Sequence, residues 1–152
     1  MNPDFAEILS ELTAAGAEFL VVGAFAVAAH GNPRATGDID IWVRPTRENA
    51  EKVLHALRAF GAPLFGLSIE DLVDEQTVFQ IGVAPVRIDI LAGIDGVSFD
   101  DAWQRRVDAK LGTSRVPVLS LVDLAANKRA AGRPKDVADL VWIEDEITRR
   151  GG

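Results

Sequence analysis

Asp38, Asp40 and Asp89 are the side chains of this sequence whose type and spacing suit chemistry. Asp38 and Asp40 stand two apart in Asp38-Ile39-Asp40-Ile41-Trp42-Val43, an apolar run that reads as a strand. Alternation then puts both carboxylates on one face and Ile39, Ile41 and Val43 on the other. Two like charges held so close repel and raise one another's pKa, an arrangement a fold keeps for a divalent cation or a shared proton. Asp89 lies in a second such run, Val86-Arg87-Ile88-Asp89-Ile90-Leu91, where alternation groups it with Arg87 and Leu91. Its apolar setting favours a metal ligand or base over an exposed residue paired with Arg87. Upstream, Phe19-Leu20-Val21-Val22 reads as a buried strand that turns at Gly23 into a small-residue helix from Ala24 to about His30. The free N–H groups at the start of that helix form an anion site. A cation site beside an anion site suggests a metal-bound phosphate.

The order strand, Gly-small turn, helix and Asp-x-Asp strand resembles the nucleotidyltransferase superfamily of the DNA polymerase β type. More closely, it resembles the minimal nucleotidyltransferases and the AbiEii/AbiGii toxin-like branch. The family pattern is a Gly-Gly or Gly-Ser turn, a hydrophobic-Asp-hydrophobic-Asp strand and a third carboxylate on a later strand; this chain has Gly23-Ala24, Asp38-Ile39-Asp40 and Asp89. Ala24 departs from the pattern, because it keeps the backbone N–H and lacks a hydroxyl. Arg34-Ala35-Thr36-Gly37-Asp38 is similar to the loop of the toxin-like families, and Lys128 with Arg133-Pro134-Lys135-Asp136 is similar to their tail.

The resemblance implies a metal-dependent enzyme. Asp38, Asp40 and Asp89 would be its catalytic residues and ligands of Mg²⁺ or Mn²⁺, and Gly23, Ala24, Arg34, Thr36 and Lys128 would bind the nucleotide. It would move an NMP group from a nucleoside triphosphate to a hydroxyl of a protein, a tRNA end or a small molecule, within a toxin–antitoxin pair. The alternative is an inactive module of the same fold acting as a partner-binding antitoxin or regulator. A dinucleotide-binding oxidoreductase is excluded, since Gly23-Ala24-Phe25-Ala26-Val27-Ala28 lacks the second and third glycines of that fingerprint.

Composition narrows the partners. The net charge of −7 disfavours broad, sequence-independent nucleic-acid binding and suits a divalent metal. With no cysteine there is neither disulfide nor thiolate chemistry. The one long apolar run, Phe19 to Ala29, is interrupted by Gly23, so no membrane span is expected, and the start Met-Asn-Pro-Asp-Phe has no secretory character, which points to the cytoplasm.

The positioning elements follow from pattern and punctuation. Phe5, Ile8, Leu9 and Leu12 predict a helix opened by Pro3; Ala50, Val53, Leu54, Leu57 and Phe60 predict another, started at Pro45-Thr46 and closed by Gly61. Ser68 caps Ile69 to Val73, Thr77–Val83 and Val86–Leu91 form a hairpin joined at Ala84-Pro85, and a helix is expected from Phe99 to about Val107. A hairpin around Leu111 to Leu119 carries Pro117 at a sheet edge; Ser120 caps a helix through Ala131, and Pro134 restarts the last one, to about Arg149, with Asp136 capping or charging its first turn. The expected fold is α/β (α+β), a small mixed sheet flanked by helices with a C-terminal helical pair. It divides into a core at 1–119 and a helical segment at 120–152 packed on it as one domain. His30 is expected as a dipole partner at its helix end and Trp42 as a packed residue under a helix.

Overall fold

The computed structural model describes residues 1–33, 37–83 and 86–151. Arg34 and Thr36, two of the expected nucleotide-binding residues, lie outside the described residues, as does the Ala84-Pro85 corner. Helix α1 (Pro3–Ala14) is started by the Asn2 side chain, whose Oδ1 accepts from Asp4 N, and it buries Phe5, Ile8, Leu9 and Leu12. Each such side chain contributes about 1.5–3 kcal/mol of burial. Strand β1 (Phe19–Val22) is wholly buried and runs directly into α2 (Gly23–Ala29), which packs on β1 and on β2 (Asp38–Val43). Helix α3 (Arg47–Phe60) is capped by Thr46 and ends at left-handed Gly61, and α4 (Ile69–Val73) carries a full capping box between Ser68 and Asp71. Strands β3 (Val78–Val83) and β4 (Val86–Leu91) form the first hairpin.

The two halves of the chain meet in one six-stranded mixed sheet, ordered β3-β4-β2-β1-β6-β5, where β5 is Val107–Leu111 and β6 is Ser114–Val118. Strands β2 and β4 are parallel, as are β1 and β6; the other pairs are antiparallel. Helices α6 (Leu121–Ala131) and α7 (Val137–Arg149), joined by a 3₁₀ turn at Pro134–Asp136, pack on each other, and α6 also packs on α2. The expected mixed sheet, flanking helices and C-terminal pair are all present.

Two local expectations are corrected. The helix at Phe99, α5, stops at Gln104, and Val107 already belongs to β5. Arg106 turns back to donate to Trp103 O and stacks its guanidinium 4.0 Å above the Trp103 ring, which ends the helix and leaves the chain extended. Pro117 is not at an edge either, because β6 lies between β1 and β5. The two-residue turn after Leu111 makes Leu111↔Ser114 the closing hydrogen-bonded pair, so alternation gives Asp108↔Pro117 no ladder bond to lose. On the other flank the pairing with β1 is Val21↔Val118, after Pro117, followed by Leu119 N donating to Val21 O.

Candidate active site

The parallel pairing of β2 with β4 assembles the carboxylates. Its register sets Asp38 opposite Arg87 and Asp40 opposite Asp89, and cross-strand partners share a face. The three aspartates anticipated from two distant segments therefore line one cavity of about 420 Å³, together with Gly23, Arg87 and Lys128. Asp89 is only 7% exposed, while Asp38 and Asp40 are half-buried.

Arg87 is the cation among them. Its Nε donates to Asp89 Oδ1 at 2.8 Å, and its Nη2 donates to Asp89 Oδ2 and to Asp38 Oδ2, both at 3.2 Å. One guanidinium does not neutralise three carboxylates. Burial first, then the Asp89 charge, a hydrogen bond shared with Asp89 and the Asp38 charge push the Asp40 carboxyl up to about 6, against a smaller opposing pull from Arg87.

Gly23 carries a geometric requirement. Its φ of +68° is left-handed, and a Cβ added there would fall 2.4 Å from Asp40 Oδ2. The strand-to-helix turn thus presses bare backbone against the carboxylate. No side chain caps α2, so its opening N–H groups carry no side-chain acceptor. Gly23 lines the cavity; its neighbour Ala24 does not.

The third wall comes from α6. The Ser120 side chain accepts from Asp123 N to start the helix, and Asn127 Nδ2 donates to Asp95 O at 2.9 Å, tying α6 to the loop after β4. Close approach is possible because residue 96 is glycine, where a Cβ would stand 2.6 Å from that of Ala130. Lys128, read from sequence as either a phosphate ligand or a solvated lysine, is 6% exposed. Its Nζ lies 3.0 Å from Asp136 Oδ1 and 3.4 Å from Asp139 Oδ2.

Asp136 is not a side-chain cap of α7; it is the shared partner of Lys128 and Arg133, whose Nε donates to Asp136 Oδ2 at 2.7 Å. Burial alone would raise this carboxyl, but the hydrogen bonds from Arg133 and Lys128 and their charges outweigh it and hold the group below the usual carboxylate range. Asp123, on the same helix as Lys128, is bonded to Arg105 instead.

Two other expectations are resolved by packing. His30 is not a charged dipole partner. Its Nε2 is 2.8 Å from Leu119 O, so that nitrogen must carry the hydrogen, and burial lowers the pKa of the ring. Trp42 is packed under α5 as expected, 1% exposed and edge-on to Phe99 at 5.0 Å, with its Nε1 lacking a hydrogen-bond partner. Arg87, weighed from sequence only as a partner of Asp89, and Arg133 and Lys135, noted only in the family-like tail, also line the cavity. Alternation did put Arg87 on the face of Asp89, and a cation two residues from a buried carboxylate was the available signal.

The hard oxygen donors of Asp38, Asp40 and Asp89, which line one cavity, fit a divalent cation such as Mg²⁺ or Mn²⁺. The donors are not preassembled: among the described residues no three histidine, cysteine, aspartate or glutamate side chains already converge as a metal cage. Arg87 stands between Asp38 and Asp89.

With this geometry in hand, comparison with known proteins is direct. The family model described as nucleotidyl transferase AbiEii toxin, type IV TA system, matches residues 7–150. No curated protein matches the chain. Among solved structures, the fold is similar to TM1012 of Thermotoga maritima, a candidate nucleotidyltransferase, with 18% identity, a TM-score of 0.57 and 96% of each chain covered. It is also similar to the lincomycin-bound lincosamide antibiotic adenylyltransferase LnuA, with 13% identity, a TM-score of 0.63, and 95% of this chain and 96% of that one covered. At such identities the two structures speak for the fold.

Proposed function

The chain belongs to the AbiEii nucleotidyltransferase family, and from that premise we propose that it is a metal-dependent enzyme moving an NMP group from a nucleoside triphosphate to a hydroxyl acceptor. The observation that carries the reading is the facing pair Asp40 and Asp89, with Asp38 beside them and Arg87 bonded to Asp38 and Asp89. Bound Mg²⁺ or Mn²⁺ would supply charge neutralisation of the phosphates and polarisation of the attacking hydroxyl. Asp38, Asp40 and Asp89 would hold it, while the Gly23 amide, on the cavity wall, and that of Ala24 behind it would bond the phosphates. Arg34, Thr36 and Lys128 are the further nucleotide ligands in this reading.

The reaction is an in-line displacement. The acceptor oxygen bonds to the α-phosphorus, the α–β P–O bond breaks, and pyrophosphate leaves with the electron pair. The hydroxyl proton passes to an ionised carboxylate of the facing Asp40–Asp89 pair. Most of the catalytic effect would come from positioning and charge neutralisation.

A protein or small-molecule acceptor suits the acidic chain better than a tRNA end. LnuA, described as an antibiotic adenylyltransferase, offers a precedent for the small-molecule case on this fold. The family description supports a toxin–antitoxin setting with a protein partner. A second reading, an inactive partner-binding module, is favoured by Ala24 and by the guanidinium standing in the metal site.

Calorimetric titration of ATP, GTP, CTP and UTP, with and without Mg²⁺, separates the two. The enzyme reading expects metal-dependent binding of at least one nucleotide that the Asp38→Asn/Asp40→Asn variant loses. Absence of binding by all four sinks it in favour of the module.

A further inference from the structure

Arg87 is bonded where a metal would bind. Its guanidinium spans Asp89 and Asp38 with three hydrogen bonds, one on each Asp89 oxygen and one on Asp38 Oδ2, so an arriving cation competes with it for the charge and lone pairs of those oxygens. The side chain is about a quarter exposed and lines the cavity, so it is neither locked in the core nor outside the site. Across from it on β3 stands Gly82, which offers no side chain on that flank. The guanidinium stays on the cavity wall, where it can reach a ligand in the cavity as well as the carboxylates.

We propose that Arg87 is an exchangeable counter-ion: it neutralises Asp38 and Asp89 in the empty site, is displaced when the cation arrives, and then bonds the phosphates of the bound nucleoside triphosphate. The inference rests on the nucleotidyltransferase reading and names a residue that reading does not use. Its logic is conservation of bonding. Guanidinium matches carboxylate and phosphate with the same planar fork, so Arg87 exchanges one set of bidentate bonds for another. The carboxylates exchange a monovalent partner for a divalent one. Metal-free carboxylates would otherwise repel across the β2–β4 register, which gives the empty protein a reason to keep the arginine there.

The test uses two titrations of the full chain, each on wild type, Arg87→Gln and Arg87→Lys: Mn²⁺ alone, and the Mg²⁺ complex of whichever of the four nucleoside triphosphates wild type binds best. Removing a competitor for the carboxylates and a ligand for the phosphates moves the two affinities in opposite directions. Arg87→Gln should bind Mn²⁺ about tenfold tighter and the Mg²⁺–nucleotide about tenfold weaker. Arg87→Lys keeps the charge and loses the fork, so it should bind Mn²⁺ nearly as wild type does and the nucleotide severalfold weaker; it carries the test if the glutamine variant fails to fold. A loss of both affinities in folded variants would mark Arg87 as merely structural, a gain in both would mark it as an obstacle, and either overturns the proposal while leaving the enzyme reading intact. Wild type binding neither probe would overturn both.

Discussion

Asp40 of β2 stands directly opposite Asp89 of β4 on adjacent parallel strands, two carboxylates sharing one partly buried face. In the folded chain Asp40 takes up its proton near pH 6, against an ordinary value of 3.8. The folded state is thus favoured by protonation. The contribution is complete below about pH 4 and is lost as pH rises through about 6. Asp40→Asn should therefore stabilise the metal-free chain at pH 7.5 by about 1–2 kcal/mol, while giving little at pH 4. Urea unfolding in EDTA at the two pH values checks this, and an unchanged midpoint at pH 7.5 would refute it. A gain in stability from the loss of a proposed metal ligand is what a functional site, as opposed to a packing site, should give.

Gly23→Ala should fail twice over. The new methyl collides with Asp40 Oδ2, and the residue must hold a φ of +68° that alanine resists. The expected cost is about 1–3 kcal/mol of stability. Displacement of Asp40 should also remove Mn²⁺ binding in whatever fraction remains folded. Thermal melts beside Mn²⁺ titration report both effects, and an alanine variant that melts and binds as wild type does would contradict the close approach.

Lys128→Met leaves Asp136 and Asp139 buried without their common cation. That should cost about 3–5 kcal/mol, as for other broken buried pairs. Arg133, half exposed, holds the opposite side of Asp136, and Arg133→Gln should cost no more than about 1 kcal/mol. The ranking of the two by denaturant unfolding is the check. A methionine variant as stable as wild type would mean that the Lys128 ion pairs do not hold the fold together.

His30 titrates against Asp40. Burial, followed by the Arg150 charge, lowers its pKa below 6.5 in the folded chain, opposed by its bond to Leu119 O. Its contribution to stability is present above pH 6.5 and is lost as pH falls through the lowered value. His30→Gln removes that dependence. Between pH 6.5 and 5 the variant should lose less stability on acidification than wild type, and parallel profiles for the two would contradict a buried neutral ring.

The strand, turn, helix and strand from Phe19 to Val43 were legible because each part is local. Branched runs fix the strands, Gly23 fixes the turn, and alternation fixes the face of each aspartate. Asp89 was legible for the same reason. The use of Arg87 was hidden because it depends on β4 lying parallel to β2, a crossover pairing that no local pattern specifies. The burial of Lys128 was not legible because its partners lie beyond the helix break at Gly132, where only the folding back of α7 brings Asp136 and Asp139 to it. Pro117 was misjudged because the neighbours of β6 are set by tertiary pairing, and the end of α5 because the Arg106–Trp103 contact, though local, is a side-chain geometry that no apolar pattern marks.

Several side-chain ties of the fold are long in sequence. Arg87 reaches Asp38 across 49 positions, His30 reaches Leu119 across 89, and Arg150 donates to His30 O across 120. Contacts of this separation form slowly, because loop entropy is spent before they return anything. During synthesis all three aspartates precede Lys128, so the acidic half of the cavity emerges before the basic helix that walls it. The cavity is thus walled only once α6 and the turn leading into α7 have followed the sheet strands out of the ribosome.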